Sequence, residues 1–375
     1  MKFDIISEKC VLKYDKCLWD IDKKIDIYKY LNPINSEEEK KKFLKEYESG
    51  NYYNPQFKYE IFDKNIELLY NELLLIRNQL HKCKTSLFAP YYIKIIDDLV
   101  LRIDLFKDRT QPDFGEKVSN LYGNPNSQLI KEAKSNLLKY QNMDEDVENL
   151  TPEDVLKIFK IEMDKFGLNW DFEILTRASG KLSVNASLNK IKINASEKFS
   201  ENKMKRYIFH EIRTHVFRAE NGKLQPFLIF KNGFPNYINT EEGLALYVED
   251  KNGLITPGDI KKYSARVIAA NCSTNSSFFD VFNELVKYFS PSETFSIIQR
   301  VKRGFTDTSM PGGYTKDFVY MDGFQKVSSF LNAGNSIENL FTGKIGLDDV
   351  NLIQELINQG IIVKPKYLPF NNIIK

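Results

Sequence analysis

Histidine is the scarcest chemically versatile residue in this chain, with three copies among 375 residues. Cysteine is nearly as rare. Cys10, Cys17, Cys83 and Cys272 form no C-x-x-C pair, which argues against a structural zinc ribbon or a disulfide framework and fits a reducing compartment. No uninterrupted apolar run reaches the length of a membrane span. Neither sign of charge dominates, with 53 Lys and Arg against 51 Asp and Glu, so nothing global points to nucleic acid or a membrane surface. The opening Met1-Lys2-Phe3-Asp4-Ile5-Ile6-Ser7-Glu8-Lys9 places acidic residues where the apolar stretch of a signal sequence would lie. These absences predict a soluble, cytoplasmic protein without nucleic-acid or membrane partners.

Against that background, the placing of the histidines stands out. Two of the three flank a glutamate in His210-Glu211-Ile212-Arg213-Thr214-His215. Imidazole is the commonest protein metal ligand, and a glutamate beside a metal-activated water is the usual general base of a zinc hydrolase. The common H-E-x-x-H motif sets its histidines at i and i+4, about 40° apart on a helix. Here they are at i and i+5, about 140° apart on an ideal helix. A π-type turn would realign them, so the spacing predicts an irregularity near Arg213-Thr214, with Thr214 bonding a carbonyl one turn back. A third ligand is expected downstream. The motif helix should stop at Asn221-Gly222, and Thr240-Glu241-Glu242-Gly243 reads as the next helix start, with Thr240 as N-cap. Two imidazoles and one carboxylate would leave a coordination position open for water.

These residues resemble a known family. His-Glu-Ile-x-Thr-His followed by Glu-Glu-Gly-Leu-Ala is similar to the family that contains the microtubule-associated tyrosine carboxypeptidases. Lys302 to Asp317 with Tyr320 and Gly323, Asn54-Pro55-x-Phe57, and Leu121-Tyr122-Gly123-Asn124-Pro125 extend the resemblance over most of the chain. It implies a zincin-like core binding one zinc ion per chain through both motif histidines and a glutamate of the second motif. Bacterial members carry Gln-Glu-Gly-Leu-Ala, so the resemblance selects Glu242 as the ligand and leaves Glu241 to support it. It also implies Gly where this chain has Arg213, which is expected to narrow the cleft or tune the base. The substrate implied is a peptide or protein C-terminus, with a preference for a terminal aromatic residue.

The expected fold is α+β and mostly helical. An N-terminal helical region, 1–112, precedes a catalytic domain, 113–375, unless the two form one unit. Helices are predicted to open at a Ser36–Glu39 capping box and to span Tyr59–Leu80, Tyr91–Phe106, one stretch within 113–142, 258–272, 276–302, 317–334 and 347–359. An acidic run, Asp144 to Glu148, precedes a helix start at Thr151-Pro152. Alternation in Trp170–Leu175, Lys181–Ala186 and Lys190–Ala195 predicts a small antiparallel sheet, with Ser183–Ala195 as the hairpin that holds substrate. Ile361-Ile362-Val363 also reads as a strand.

In this reading zinc lowers the pKa of its bound water to about 7, and Glu211 takes the proton and passes it to the leaving amine. The third histidine, His81, belongs to a helix terminus, so another group must stabilise the oxyanion. Tyr320 and then Tyr314 are the candidates. A free terminal carboxylate would be bound by a cation flanking the Gly-rich block: Arg303 first, then Lys316, with Lys302 beside them. Two alternatives remain. One is a zinc endopeptidase or amidase, and the other a non-catalytic regulatory protein that keeps the motif for structure.

Overall fold

The structure, a computed structural model, describes residues 5–109, 111, 113–142, 147–176 and 180–370. Asp144, Glu145 and Asp146 of the acidic run lie outside them. The chain is mostly helical, with one small sheet, an α+β arrangement. Among the described residues no helix is long and apolar enough to cross a membrane.

Among the described residues five helices precede residue 112: Ile5–Asp22, Ile27–Leu31, Ser36–Glu48, Asn65–Leu80 and Ala89–Lys107. Two hydrophobic clusters make the core, and each draws residues from both sides of residue 112. Phe43 shows the connection: its ring meets Phe278, Phe282 and Phe295 at 4.7–5.4 Å between centroids. Burying one such ring contributes roughly 2–3 kcal/mol.

Several local expectations need correction. Ser36 is not a cap; the helix starts after Asn35, and the Ser36 hydroxyl instead donates to Gln299 at 2.8 Å. Glu39 does not reach back along its own helix, because its carboxylate accepts from Tyr53 and the Gln56 amide. The helix predicted from Tyr59 begins at Asn65, and 113–142 holds two helices, Phe114–Tyr122 and Ser127–Lys139, separated by Gly123 with φ 79°. Likewise 276–302 divides into Phe278–Leu285 and Pro291–Lys302, each with its own serine cap. Residues 361–363 join no sheet. The helix at Pro152–Asp164 does carry a capping box, Thr151 with Asp154.

The sheet is mixed rather than antiparallel. β1 (Asp171–Leu175), β2 (Leu182–Asn185) and β3 (Lys190–Asn194) lie in the order β1-β3-β2, with β1 parallel to β3 and β2 antiparallel to it. A tight turn, with Asn189 at φ 50°, folds β2 back on β3 and leaves the far side of β3 for β1. Period-two alternation reports which faces are buried and carries no information on strand direction. The strand leading to the motif helix is therefore central, and β2 alone of the predicted hairpin presents a free edge.

The three outlying motifs meet one another. Thr308 donates, through its amide and hydroxyl, to the Pro55 carbonyl at 3.4 and 2.8 Å, and its carbonyl accepts from the Phe278 amide at 2.9 Å; the Phe57 amide donates to the Thr306 carbonyl at 2.8 Å. Thr315 donates to the Gly123 carbonyl at 2.9 Å. Asp307 braces this loop, accepting from the Ser309 amide and from Gln56. At its centre Lys302, fully buried, donates to the carbonyls of Ser276, Met310 and Gly312 at 2.6–2.9 Å. Lys302→Met is expected to strand these three acceptors and destabilise the fold by about 3 kcal/mol, read as a lowered denaturant midpoint. An unchanged midpoint would show the loop to be held by its other bonds.

Candidate metal centre

The motif helix is built in three parts: an α-helical turn at Met204–Tyr207, a π-helix over Ile208–Val216, and α-helix again at Phe217–Lys223. The expected irregularity is present and covers the whole motif. Thr214 donates to the Phe209 carbonyl, five residues back, at 2.9 Å. Phe209, Ile212, Val216 and Phe217 are buried on the core side, which anchors the wider turn. The result brings the His210 and His215 rings to 4.8 Å between centroids, inclined at 86°. Gly222 does not act as a helix stop. It allows close approach, since a Cβ there would lie 2.3 Å from the Phe230 carbonyl oxygen.

Opposite lies the acidic helix, Tyr237–Lys251, which starts three residues before the expected cap; Asn236 precedes it in the left-handed region at φ 60°. Thr240 lies inside the helix, and its hydroxyl accepts from the Leu347 amide at 3.0 Å. The carboxylate of Glu242 faces both imidazoles, with Oε2 at 3.5 Å from His210 Nε2 and 3.6 Å from His215 Nε2. These distances are long for hydrogen bonds, and Oε2 is buried with no hydrogen-bond partner. His210, His215 and Glu242 offer three ligand atoms all within 4.8 Å of one another, the one such group among the described residues.

The far side of each ring is fixed. His210 Nδ1 meets Glu249 Oε1 at 2.5 Å, and His215 Nδ1 meets Glu241 Oε1 at 2.8 Å. With Nδ1–H donating to a carboxylate, each Nε2 lone pair turns to the centre, the arrangement that orients metal-binding histidines. The supporting carboxylates are held in turn. Glu249 accepts from Arg206 Nε at 2.7 Å, while Glu241 pairs with Arg218 and, at 2.9 Å, with Lys344. Burial works against charge on both rings, yet the surrounding carboxylates prevail and raise His215 and lift His210 to about 10. Burial alone would raise Glu242, but the two facing imidazoles hold it well below the ordinary carboxylate range. The donor set of two nitrogens and one carboxylate oxygen, with its outer ring of acceptors, fits a zinc ion in the usual catalytic composition. Glu211 lies beside it, buried, and burial raises its pKa.

A cleft of about 360 Å³ opens over this group, lined by His210, Glu211, His215, Glu242 and Tyr320 and, along one side, by Gly180, Lys181 and the first three residues of β2, Leu182 to Val184. The other predicted site residues divide. Tyr320 lines the cleft, its ring 6.4 Å from that of His210. Lys316 lines it too. Tyr314 does not; it is buried and donates to Tyr122 at 3.0 Å. Arg303 is packed over Tyr28 and Tyr314, donating to the Arg300 carbonyl, and Lys302 is spent on the loop. The Gly-rich block folds around Lys302, because the backbone of so irregular a loop needs internal donors, while Arg303 turns back on the helix that precedes it. Arg213 points away from the cleft, donating to Glu162 at 2.7 and 2.9 Å and lying over Phe209 and Phe166, so it neither narrows the cleft nor reaches Glu211. His81 ends its helix, exposed and remote.

Several functional neighbours escaped the sequence reading. Glu249 had a signal: it lies seven residues, two helical turns, after Glu242 and so shares its face. Arg206 lies one turn before His210. Arg266, which lines the cleft over Tyr263 and Tyr320 at 5.1 and 5.3 Å, and Tyr28, from the N-terminal region, gave none.

A family model described as microtubule-associated tyrosine carboxypeptidase matches residues 41–372. The chain is 26% identical to the mouse protein MATCAP2 over 341 residues, covering 89% of this chain and 57% of the relative. It is 30% identical over 168 residues to rat microtubule-associated tyrosine carboxypeptidase 1, covering 42% of this chain and 34% of that protein. The chain thus spans little more than half the length of the mouse relative. With the match running through nearly all of its described structure, the chain belongs to the microtubule-associated tyrosine carboxypeptidase family.

Proposed function

We propose that this protein is a zinc-dependent carboxypeptidase that removes one residue from a peptide or protein C-terminus. The observation that carries the reading is the convergence of His210, His215 and Glu242 on one point, with Glu242 Oε2 otherwise unpartnered and Glu211 alongside. When bound there, zinc supplies Lewis acidity that polarises a carbonyl and brings the pKa of a water to about 7. Glu211 accepts the proton of the attacking water and delivers it to the leaving amine. Glu241 and Glu249 keep the imidazoles oriented throughout. Tyr320, with its ring stacked between His210 and Tyr263, offers the hydroxyl that donates to the tetrahedral oxygen. An extended substrate has an edge to pair with in β2: Lys181 bonds to β3, so alternation turns the backbone of Leu182 and Val184 outward.

Two cations favour a terminal carboxylate over an internal peptide bond. Among the described residues Arg266 and Lys316 line the cleft without a carboxylate partner, whereas Lys203, Arg206, Arg300 and Lys344 are each paired. Tyr28, Tyr237, Tyr263 and Tyr320 also line it, an environment suited to an aromatic terminal residue.

The test is zinc content by elemental analysis of the wild type and Glu242→Ala, purified identically. About one zinc per chain in the wild type and none in the variant is expected. No zinc in the wild type, even after reconstitution, would end the hydrolase reading and favour a binding protein.

A further inference from the structure

Tyr28 lies ahead of residue 41, where the family match begins, yet its side chain lines the cleft. Its short helix, Ile27–Leu31, is pinned at its start. Asp26 caps it, accepting from the Tyr28 and Lys29 amides at 3.1 and 3.2 Å, and pairs with Lys192 of β3 at 3.6 Å. The Arg303 guanidinium lies over the Tyr28 ring at 5.5 Å. The ring is thereby held at the mouth of the site by the sheet on one side and the Gly-rich block on the other.

The hydroxyl has a specific neighbour. Lys316 Nζ donates to Tyr28 Oη at 2.7 Å. Because that oxygen accepts, its own hydrogen is left to donate, and among the described residues it meets no acceptor. Lys316 has further N–H groups and, among the described residues, no carboxylate at ion-pair distance, Glu242 acting on it only from farther off. A hydroxyl and an ammonium 2.7 Å apart, both with donors to spare, match the two oxygens of a carboxylate. Arg266 is the other cleft cation without a carboxylate partner among the described residues, but its guanidinium lies over the Tyr263 and Tyr320 rings, and Tyr263 Oη already accepts from Arg206 at 2.7 Å.

We propose that Tyr28 and Lys316 together bind the terminal carboxylate of the substrate, so that a segment outside the matched family region completes the specificity site; this rests on the carboxypeptidase reading above. Tyr28 acts in binding and takes no part in the proton transfers. The ammonium provides charge, and the phenol provides direction, because its hydrogen must leave along the one arc not occupied by Lys316.

The experiment compares one peptide as its C-terminal acid and as its C-terminal amide, in turnover and in binding to the zinc-loaded protein. The wild type is expected to prefer the acid. Tyr28→Phe, which removes a single oxygen, should shrink the acid-over-amide preference about tenfold, chiefly through KM, with zinc content unchanged. Lys316→Met should shrink it further. A wild type without preference would overturn the carboxypeptidase reading, and this assignment with it. A wild type that prefers the acid, with Tyr28→Phe retaining the full preference, would overturn the assignment alone. Should Arg266→Met remove the preference while Tyr28→Phe keeps it, the carboxylate sits on Arg266 and the proposal is wrong.

Discussion

Glu211→Gln is expected to lower peptide cleavage by about a thousandfold while the protein retains its zinc, since general-base catalysis contributes on the order of 10²–10⁴. The substitution keeps the shape of the side chain and removes its capacity to take a proton. Glu211 is not among the three converging ligand atoms, so metal content should not change. Nor does it brace either imidazole, a task that Glu241 and Glu249 already perform. Measuring kcat and zinc per chain on the same preparation separates the roles. A large loss of turnover with full zinc content supports the base; loss of both would make Glu211 a structural element of the site. Equal turnover in variant and wild type would leave the non-catalytic alternative standing.

Gly243→Ala should have the second large effect, and for a reason unrelated to proton transfer. Gly243 follows Glu242 at the point where the acidic helix crosses Val319–Asn332, the helix that carries Tyr320. A Cβ there would lie 2.1 Å from the Gly323 carbonyl carbon and 2.3 Å from its oxygen. The reverse contact is equally close: a Cβ on Gly323 would meet the Asn239 carbonyl oxygen at 1.9 Å. Backbone faces backbone, so no side-chain rotation can relieve the clash and one helix must move. The expected cost is about 3 kcal/mol, at the upper end for overpacking, together with reduced zinc occupancy because Glu242 moves with its helix. Chemical denaturation and elemental analysis of Gly243→Ala check both parts. Wild-type stability with full zinc would mean that the crossing has slack that its geometry denies.

The contrast between these two sites shows what could be read directly. Glu211 announces itself, because a carboxylate between two of only three histidines has few structural explanations. The i,i+5 spacing even called for the π-turn, since no regular α-helix turns both rings to one point. Gly243 and Gly323 were visible only as members of motifs; that they touch is a fact about two helices 80 residues apart. The same limit explains the misplaced cations. Lys302, Arg303 and Lys316 look alike on paper, and an irregular loop needs donors as much as a substrate does. Where each long side chain goes depends on the acceptors and rings that the fold places around it: Lys302 was drawn to loop carbonyls, and Arg303 to the Arg300 carbonyl and the Tyr28 and Tyr314 rings.

Taken alone, the sequence determined the His210-Glu211-His215 group along one helix, because short-range spacing dictates which side chains share a face, while Glu242, on a second helix, was legible through the resemblance of its motif. Tertiary structure decided everything that depends on distant segments meeting. It set the strand order, paired Glu249 with His210, turned Arg213 toward Glu162, and brought Tyr28 to Lys316 across 288 positions. Such contacts follow from packing and from pairing buried charge, and neither leaves a local pattern in the chain.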